Sequence, residues 1–149
     1  GGVCLNVGCI PSKALITVAK RFEELHHAGD MGIGVAGDIT IDMAKVQAYK
    51  DGVVGKLTGG VKTLLKGNKV EMASGTATIV APGTVEIVSS EGTKRVTADH
   101  IVVATGSSPI QIPGFSFADP RVLDSTGALA LKEVPKRMVV IGGGYIGVE

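Results

Sequence analysis

Apolar and polar positions alternate along this chain in three regimes. From about residue 12 to 28, Ala14, Leu15, Val18, Ala19, Phe22 and Leu25 form one stripe at helical spacing, with Lys20, Arg21, Glu23 and Glu24 elsewhere, which predicts an amphipathic helix. A glycine-rich connection from Gly29 to Gly37 leads to a second helical stretch, from about Asp42 to Lys66. Its interior carries Gly52, Gly55, Gly59 and Gly60. Each costs up to about 1 kcal/mol relative to alanine, so a broken helix is expected, or one packed closely against another helix or a ligand. From Lys69 onward the period shortens to that of strands: Val70–Ala73, Thr76–Val80, Thr84–Val88, Lys94–Thr97 and His100–Ala104, separated by Ser-Gly, Ala-Pro-Gly, Glu-Gly and Ala-Asp. The expectation is an antiparallel meander followed by a buried strand, Ile101-Val102-Val103-Ala104. Residues 106–136, with Pro109, Pro113, Pro120 and Pro135, read as a connection holding a short helix near Ser125–Leu131. A domain boundary is expected between Gly106 and Pro113. The last apolar run, Arg137–Ile141, reads as a strand.

Composition changes this picture little. The 149 residues suffice for one domain and its core. Fifteen basic against 14 acidic side chains, with 3% aromatics, give neither the charge nor the stacking surface of a nucleic-acid binder. No apolar run approaches the ~20 residues of a membrane span. The chain opens without Met inside a glycine motif and ends one turn into an expected helix, the pattern of an internal segment.

The cysteines change it most. Cys4 and Cys9 are the only two, in the run Gly1-Gly2-Val3-Cys4-Leu5-Asn6-Val7-Gly8-Cys9-Ile10-Pro11-Ser12-Lys13. A bond between them would close almost no loop, so a stabilising role is weak and a bond that opens and closes fits better. On one regular helix, positions five apart point roughly 140° from each other, so joining them requires a distortion, which Gly8 permits. Pro11 suits the first turn of the following helix, and Cys9 would sit near that helix's N-terminal end, where the dipole favours a thiolate. Inert buried thiols, a structural disulfide and half of a zinc site remain open. Adjacent His26 and His27 diverge on a helix, suiting its C-terminal dipole better than a metal. His100, at a strand edge, has no evident chemistry.

The second motif is Gly142-Gly143-Gly144-Tyr145-Ile146-Gly147, directly after an apolar run. G-x-G-x-x-G in that context allows a tight turn, approach of a pyrophosphate and close helix–strand packing, with the anion at the helix N-terminus. The acidic residue expected roughly 20 positions on falls beyond Glu149, which leaves NAD and NADP both open.

A two-electron thiol pair and a dinucleotide turn in one chain imply a mediating cofactor, for which a flavin is usual. At this point the residues carry a resemblance. Gly1 through Lys13 resembles the active-site signature of the flavin-dependent disulfide reductases, the class I pyridine nucleotide-disulfide oxidoreductases, and most of all the branch that oxidises dihydrolipoamide. Ile101 through Ser107 is similar to that family's second flavin-contact motif, and the likeness continues through Val134-Pro135 and Gly142–Glu149.

The resemblance implies an α/β fold: a doubly wound FAD-binding domain with a β-meander insertion, within residues 1–106, then a linker and the start of a second, NAD-binding domain in residues 107–149. It implies that Cys4 exchanges with the dithiol substrate. Cys9 would face the flavin in a charge-transfer contact, and Lys13 would lie beside the ring and pair with Glu149. Gly1, Gly2, Val3, Cys4, Lys13, Ala77, Thr105, Gly106 and Ser107 would contact FAD. Gly142, Gly143, Gly144, Tyr145, Ile146, Gly147, Val148 and Glu149 would line the NAD site, with Tyr145 covering it or simply packing. The implied partner is dihydrolipoamide on the lipoyl-domain carrier of a 2-oxo acid dehydrogenase complex. A homodimer is implied too, in the cytoplasm or, in a eukaryote, the mitochondrial matrix, with no nucleic-acid or membrane partner. The family's first glycine motif would precede Gly1 and its His–Glu acid–base pair would follow Glu149, so residues 1–149 alone should not turn over substrate. Glutathione or mercuric reductase is the alternative within the class, and a non-catalytic dinucleotide-binding module with an incidental thiol pair the alternative outside it.

Overall fold

The computed structural model describes residues 2–149. Gly1, expected at the flavin, lies outside them. The chain divides into two compact units, one formed by residues up to Val61 with Ser107–Glu149, the other by Lys62–Gly106.

In the first unit, α1 (Gly2–Val7) is followed after Gly8 by α2 (Cys9–His26). The expected helix at 12 to about 28 therefore begins three residues earlier, and Pro11 falls in its first turn, fully buried beside the buried Ala14. The expected stripe faces inward only in part: Leu15, Val18 and Phe22 are half-buried, whereas Ala19 and Leu25 are exposed. At the end of α2, His26 Nδ1 lies 2.8 Å from the Phe22 carbonyl oxygen, and its ring packs on Phe22 with centroids 4.5 Å apart. His27 sits 3.6 Å from Asp30. Both histidines are thus engaged in ending the helix. A 3-10 turn (Ala28–Met31) closes on Gly32, whose left-handed φ of 79° a side chain would strain.

Taken together, Gly2–His26 is long and apolar enough to cross a membrane by length and composition, with a mean hydropathy of 1.5. This corrects the expectation that no stretch approaches that length. The core helix of a soluble protein and a signal sequence pass the same test, and here the stretch is two helices that meet at the bend at Gly8.

Helix α3 (Met43–Gly67) runs unbroken for 25 residues, against the expected break. Glycine lowers helix propensity but, unlike proline, removes no donor and clashes with no carbonyl. Both ends are capped. Asp42 Oδ1 accepts from Lys45 N at 3.2 Å. At the other end Lys69 N donates to Lys66 O and Val70 N to Leu65 O, a Schellman arrangement with Lys69 left-handed at φ 58°. A side chain built at Gly52, Gly55, Gly59 or Gly60 would meet nothing within 4 Å, so the expected close packing there is not seen among the described residues.

The second unit holds the meander. Strands β1 (Thr76–Ala81), β2 (Thr84–Ser89) and β3 (Gly92–Thr97) pair antiparallel in that order, Ala77 opposite Ile87 and Val85 opposite Val96, which places Ile79, Val85, Ile87 and Val96 on one face and Val88 on the other. The turn at Pro82-Gly83 uses a φ of 70° at Gly83.

Three expected strands are absent. Val70–Ala73 is irregular because the Val70 N–H is committed to capping α3. Ile101–Ala104 and Arg137–Ile141 are unpaired, with Val102 and Val139 each 87% exposed. A buried strand needs a hydrogen-bonded neighbour on each side, and among the described residues no segment pairs with either run, so the parallel layer of a doubly wound sheet is not formed by them.

Candidate active site: a disulfide elbow and a lysine–glutamate pair

Gly8 makes the elbow. Its φ of −135° and ψ of −119° belong to neither helix, and they turn the chain so that Cys4 in α1 and Cys9, the first residue of α2, come to a Cα separation of 4.7 Å and are joined as a disulfide. A side chain at Gly8 would come within 3.1 Å of both Cys4 Cα and the Val3 carbonyl oxygen, so any larger residue would press the two helices' backbone apart where they meet. Asn6 Nδ2 donates to Gly2 O at 2.8 Å, and Ser12 N to Gly8 O at 3.1 Å, which holds backbone on both sides. Both cysteines are exposed, so the bond is open to attack from outside. Sequence spacing anticipated this distortion, and it is found where Gly8 permits it.

Lys13 lies one turn after Cys9 on the same side of α2. Its Nζ donates to Glu149 Oε1 at 2.8 Å across 136 residues of sequence. The Lys13 hydrogen bond, then its charge, holds the Glu149 carboxyl below its ordinary pKa, with a smaller contribution from a Ser12 hydrogen bond. The structure therefore brings Cys4, Cys9, Lys13 and Glu149 into one unit.

The glycine turn divides its work among its four glycines. Gly142 has a φ of 107°, and Gly144 precedes α5 (Tyr145–Val148) in an extended conformation. A side chain at Gly147 would collide with the Gly142 carbonyl oxygen and come within 3.3 Å of Val140 Cγ1, while Gly143 and Gly144 face open space. Tight turn, open approach and close packing are the three properties a pyrophosphate loop requires. Tyr145, Ile146 and Val148 are exposed.

Ser107 begins the second segment of this unit, and Gly2 and Val3 lie on α1. Ala77, Thr105 and Gly106 belong to the other unit: Ala77 on β1, Gly106 at a φ of 81°. No group of three His, Cys, Asp or Glu side chains suited to a metal occurs among the described residues.

Sequence reasoning missed Gln47 and Lys50. Lys50 is a charged residue only 8% exposed. Its Nζ donates to Gln47 Oε1 at 2.6 Å and Leu129 O at 3.1 Å, and lies 3.2 Å from Asp51 Oδ1. Gln47 Nε2 donates to Leu129 O at 3.2 Å and Leu131 O at 2.8 Å. The available signal was two polar residues three apart, in the stripe otherwise lined by half-buried Met43, Val46, Val53 and Val54.

With this geometry in hand, the family model for pyridine nucleotide-disulphide oxidoreductases matches residues 1–149. The chain belongs to that family. Its relatives include the dihydrolipoyl dehydrogenase of Geobacillus stearothermophilus, 58% identical over 149 residues, and that of Bacillus subtilis strain 168, 55% identical. Each alignment covers all of this chain and 31% of the relative. The dihydrolipoyl dehydrogenase of Halobacterium salinarum is 47% identical and covered to 32%. Among solved structures, the copper(II) complex of a cysteine-to-serine variant of the HOCl-induced flavoprotein disulfide reductase RclA from Escherichia coli is similar, with a TM-score of 0.75 and 28% identity. That alignment covers 99% of this chain and 30% of the other. The chain thus spans about a third of the length of the relatives it matches. Within the family's pattern, the elbow joining Cys4 to Cys9 is the chemically distinctive part of this segment.

Proposed function

We propose that this chain is the redox-disulfide segment of a dihydrolipoyl dehydrogenase, an oxidoreductase that moves an electron pair from dihydrolipoamide to NAD through the Cys4–Cys9 disulfide and FAD. The exposed bond across Gly8, one turn from a paired Lys13, is the observation that carries the reading. The shared name of relatives at 47–58% identity favours this substrate over glutathione or mercuric ion.

In this reading a dihydrolipoamide thiolate attacks Cys4 Sγ, the Cys4–Cys9 bond breaks, and Cys9 leaves as a thiolate at the N-terminus of the 18-residue α2. The second substrate sulfur then displaces Cys4, so the substrate departs as a disulfide and the pair holds two electrons. Lys13, kept in place by Glu149, supplies positive charge on the same side of α2 and favours that thiolate. FAD, when bound, supplies the two-electron link between this dithiol and the pyridine nucleotide. Gly2, Val3, Cys4, Lys13, Ala77, Thr105, Gly106 and Ser107 would hold it, and the exposed Cys4–Cys9 bond is accessible from outside the chain. The turn from Gly142 to Gly147 with Val148 and Glu149 would hold NAD, and the open space at Gly143 and Gly144 fits a pyrophosphate.

Residues 1–106 would belong to the FAD-binding domain and 107–149 to the linker and first part of the NAD-binding domain. The intact enzyme would be a cytoplasmic homodimer with no membrane or nucleic-acid partner, receiving its substrate on the lipoyl domain of a 2-oxo acid dehydrogenase complex.

Cys9→Ser in the full-length protein tests this. The expected result is loss of the long-wavelength thiolate–flavin band on reduction and a fall in dithiol oxidation of at least about 10³-fold. A variant that keeps both would leave the chain as a nucleotide-binding module with an incidental thiol pair.

A further inference from the structure

Helix α4 (Ser125–Leu129) is the element that touches both halves of the elbow, packing against α1 and against α2. Little in its own sequence fixes it there. It has five residues and none is buried, so apolar packing constrains it weakly. Its N-terminal cap is internal, Asp124 Oδ1 accepting from Gly127 N at 2.7 Å, and attaches it to nothing else. The directed polar attachments come from α3, at the other end: Gln47 grips Leu129 O and Leu131 O, and Lys50 grips Leu129 O while bracing Gln47.

Burying a lysine is costly unless its ammonium is paired, and an apolar side chain would serve better if filling space were the only requirement. Hydrogen bonds add what apolar contact lacks, a direction and a register.

We propose that Gln47 and Lys50 are positioning residues for the redox disulfide: by gripping the carbonyls at the end of α4, they set where that helix bears on α1 and α2. This rests on the dihydrolipoyl dehydrogenase reading and adds two residues to it. Neither touches the cysteines, and their effect passes through α4.

The test uses the full-length flavoprotein and three variants. Gln47→Glu sets a carboxylate against two carbonyl oxygens while keeping an acceptor for Lys50. Lys50→Met removes the ammonium at similar length. Asp124→Ala loosens α4 at its local cap only. Gln47→Glu is expected to weaken the long-wavelength thiolate–flavin band to below about half and to lower kcat about tenfold at unchanged flavin content, because small misplacements at a reacting centre are amplified in rate. Lys50→Met is expected to do the same more mildly, and Asp124→Ala to lower Tm without moving the band. If Gln47→Glu fails to fold, Lys50→Met decides by the same readouts. Both α3 variants lowering Tm with band and kcat at wild-type values would overturn the proposal as a merely structural grip. Wild-type protein without the band would remove the dihydrolipoyl dehydrogenase reading, and this proposal with it.

Discussion

The elbow at Gly8 and the turn at Gly142–Gly147 are both glycine-built entries to a helix, yet they are finished to different degrees. At the elbow, backbone lies within 3.1 Å of where a side chain would grow, a disulfide spans the bend, and buried Pro11 and Ala14 support it from behind. At the turn, Gly147 is crowded by the Gly142 carbonyl, but Gly143 and Gly144 face open space and the run leading in, Val139 to Ile141, is exposed. The elbow is shaped for a bond within the chain, the turn for something laid on it. The Lys13–Glu149 pair, with a smaller hydrogen bond from Ser12, ties the two together.

That contrast can be broken from either side. Gly147→Ala puts a methyl into a backbone oxygen that cannot swing away. In the full-length protein it should raise the KM for NAD by about tenfold or more while the thiolate–flavin band survives, since only the third glycine's close packing is lost. An unchanged KM would mean that the turn does not carry the nucleotide.

Gly8→Val attacks the elbow itself. With backbone rather than flexible side chains in the way, it should cost about 2–3 kcal/mol of stability, read from urea unfolding. A cost below about 0.5 kcal/mol, the usual surface value, would show the elbow to be pliable.

Glu149→Gln tests the tie, with a smaller effect that disappears in acid. The folded Glu149 carboxyl titrates below its ordinary 4.5, chiefly through the Lys13 hydrogen bond. Its contribution is therefore present above pH 4.5 and is lost as pH falls through the lower folded value. Tm profiles of wild type and variant should nearly coincide on the acid side of that window and separate above it, with the wild type higher. Both groups are well exposed, so the separation should be small.

What the sequence made legible was local. Two cysteines, one glycine and one proline within eight positions determine the elbow, because every constraint lies within two helical turns. The meander was legible for the same reason, with Pro82-Gly83 and Glu91-Gly92 marking its turns. What failed depended on distant partners. Ile101–Ala104 and Arg137–Ile141 have strand composition, yet a strand exists only with a neighbour to pair with, and the described residues provide none. The Gln47–Lys50 grip was invisible because its acceptors lie 79 to 84 residues away. The continuity of α3 was underestimated because four glycines were weighed without Asp42 and the Lys69 cap that secure its ends. Lys13 and Glu149 were paired in advance only through the family resemblance, since no spacing rule connects positions 136 apart.

The central claim is that Cys4 and Cys9 are a working redox couple. Alkylation of the full-length protein under anaerobic conditions, before and after one equivalent of NADH, followed by peptide mass analysis, tests it most directly. No label at either cysteine before NADH and label at both Cys4 and Cys9 afterwards is the predicted result. A flavin that bleaches with NADH while both cysteines stay unlabelled would show that electrons do not reach the disulfide, and would contradict the account.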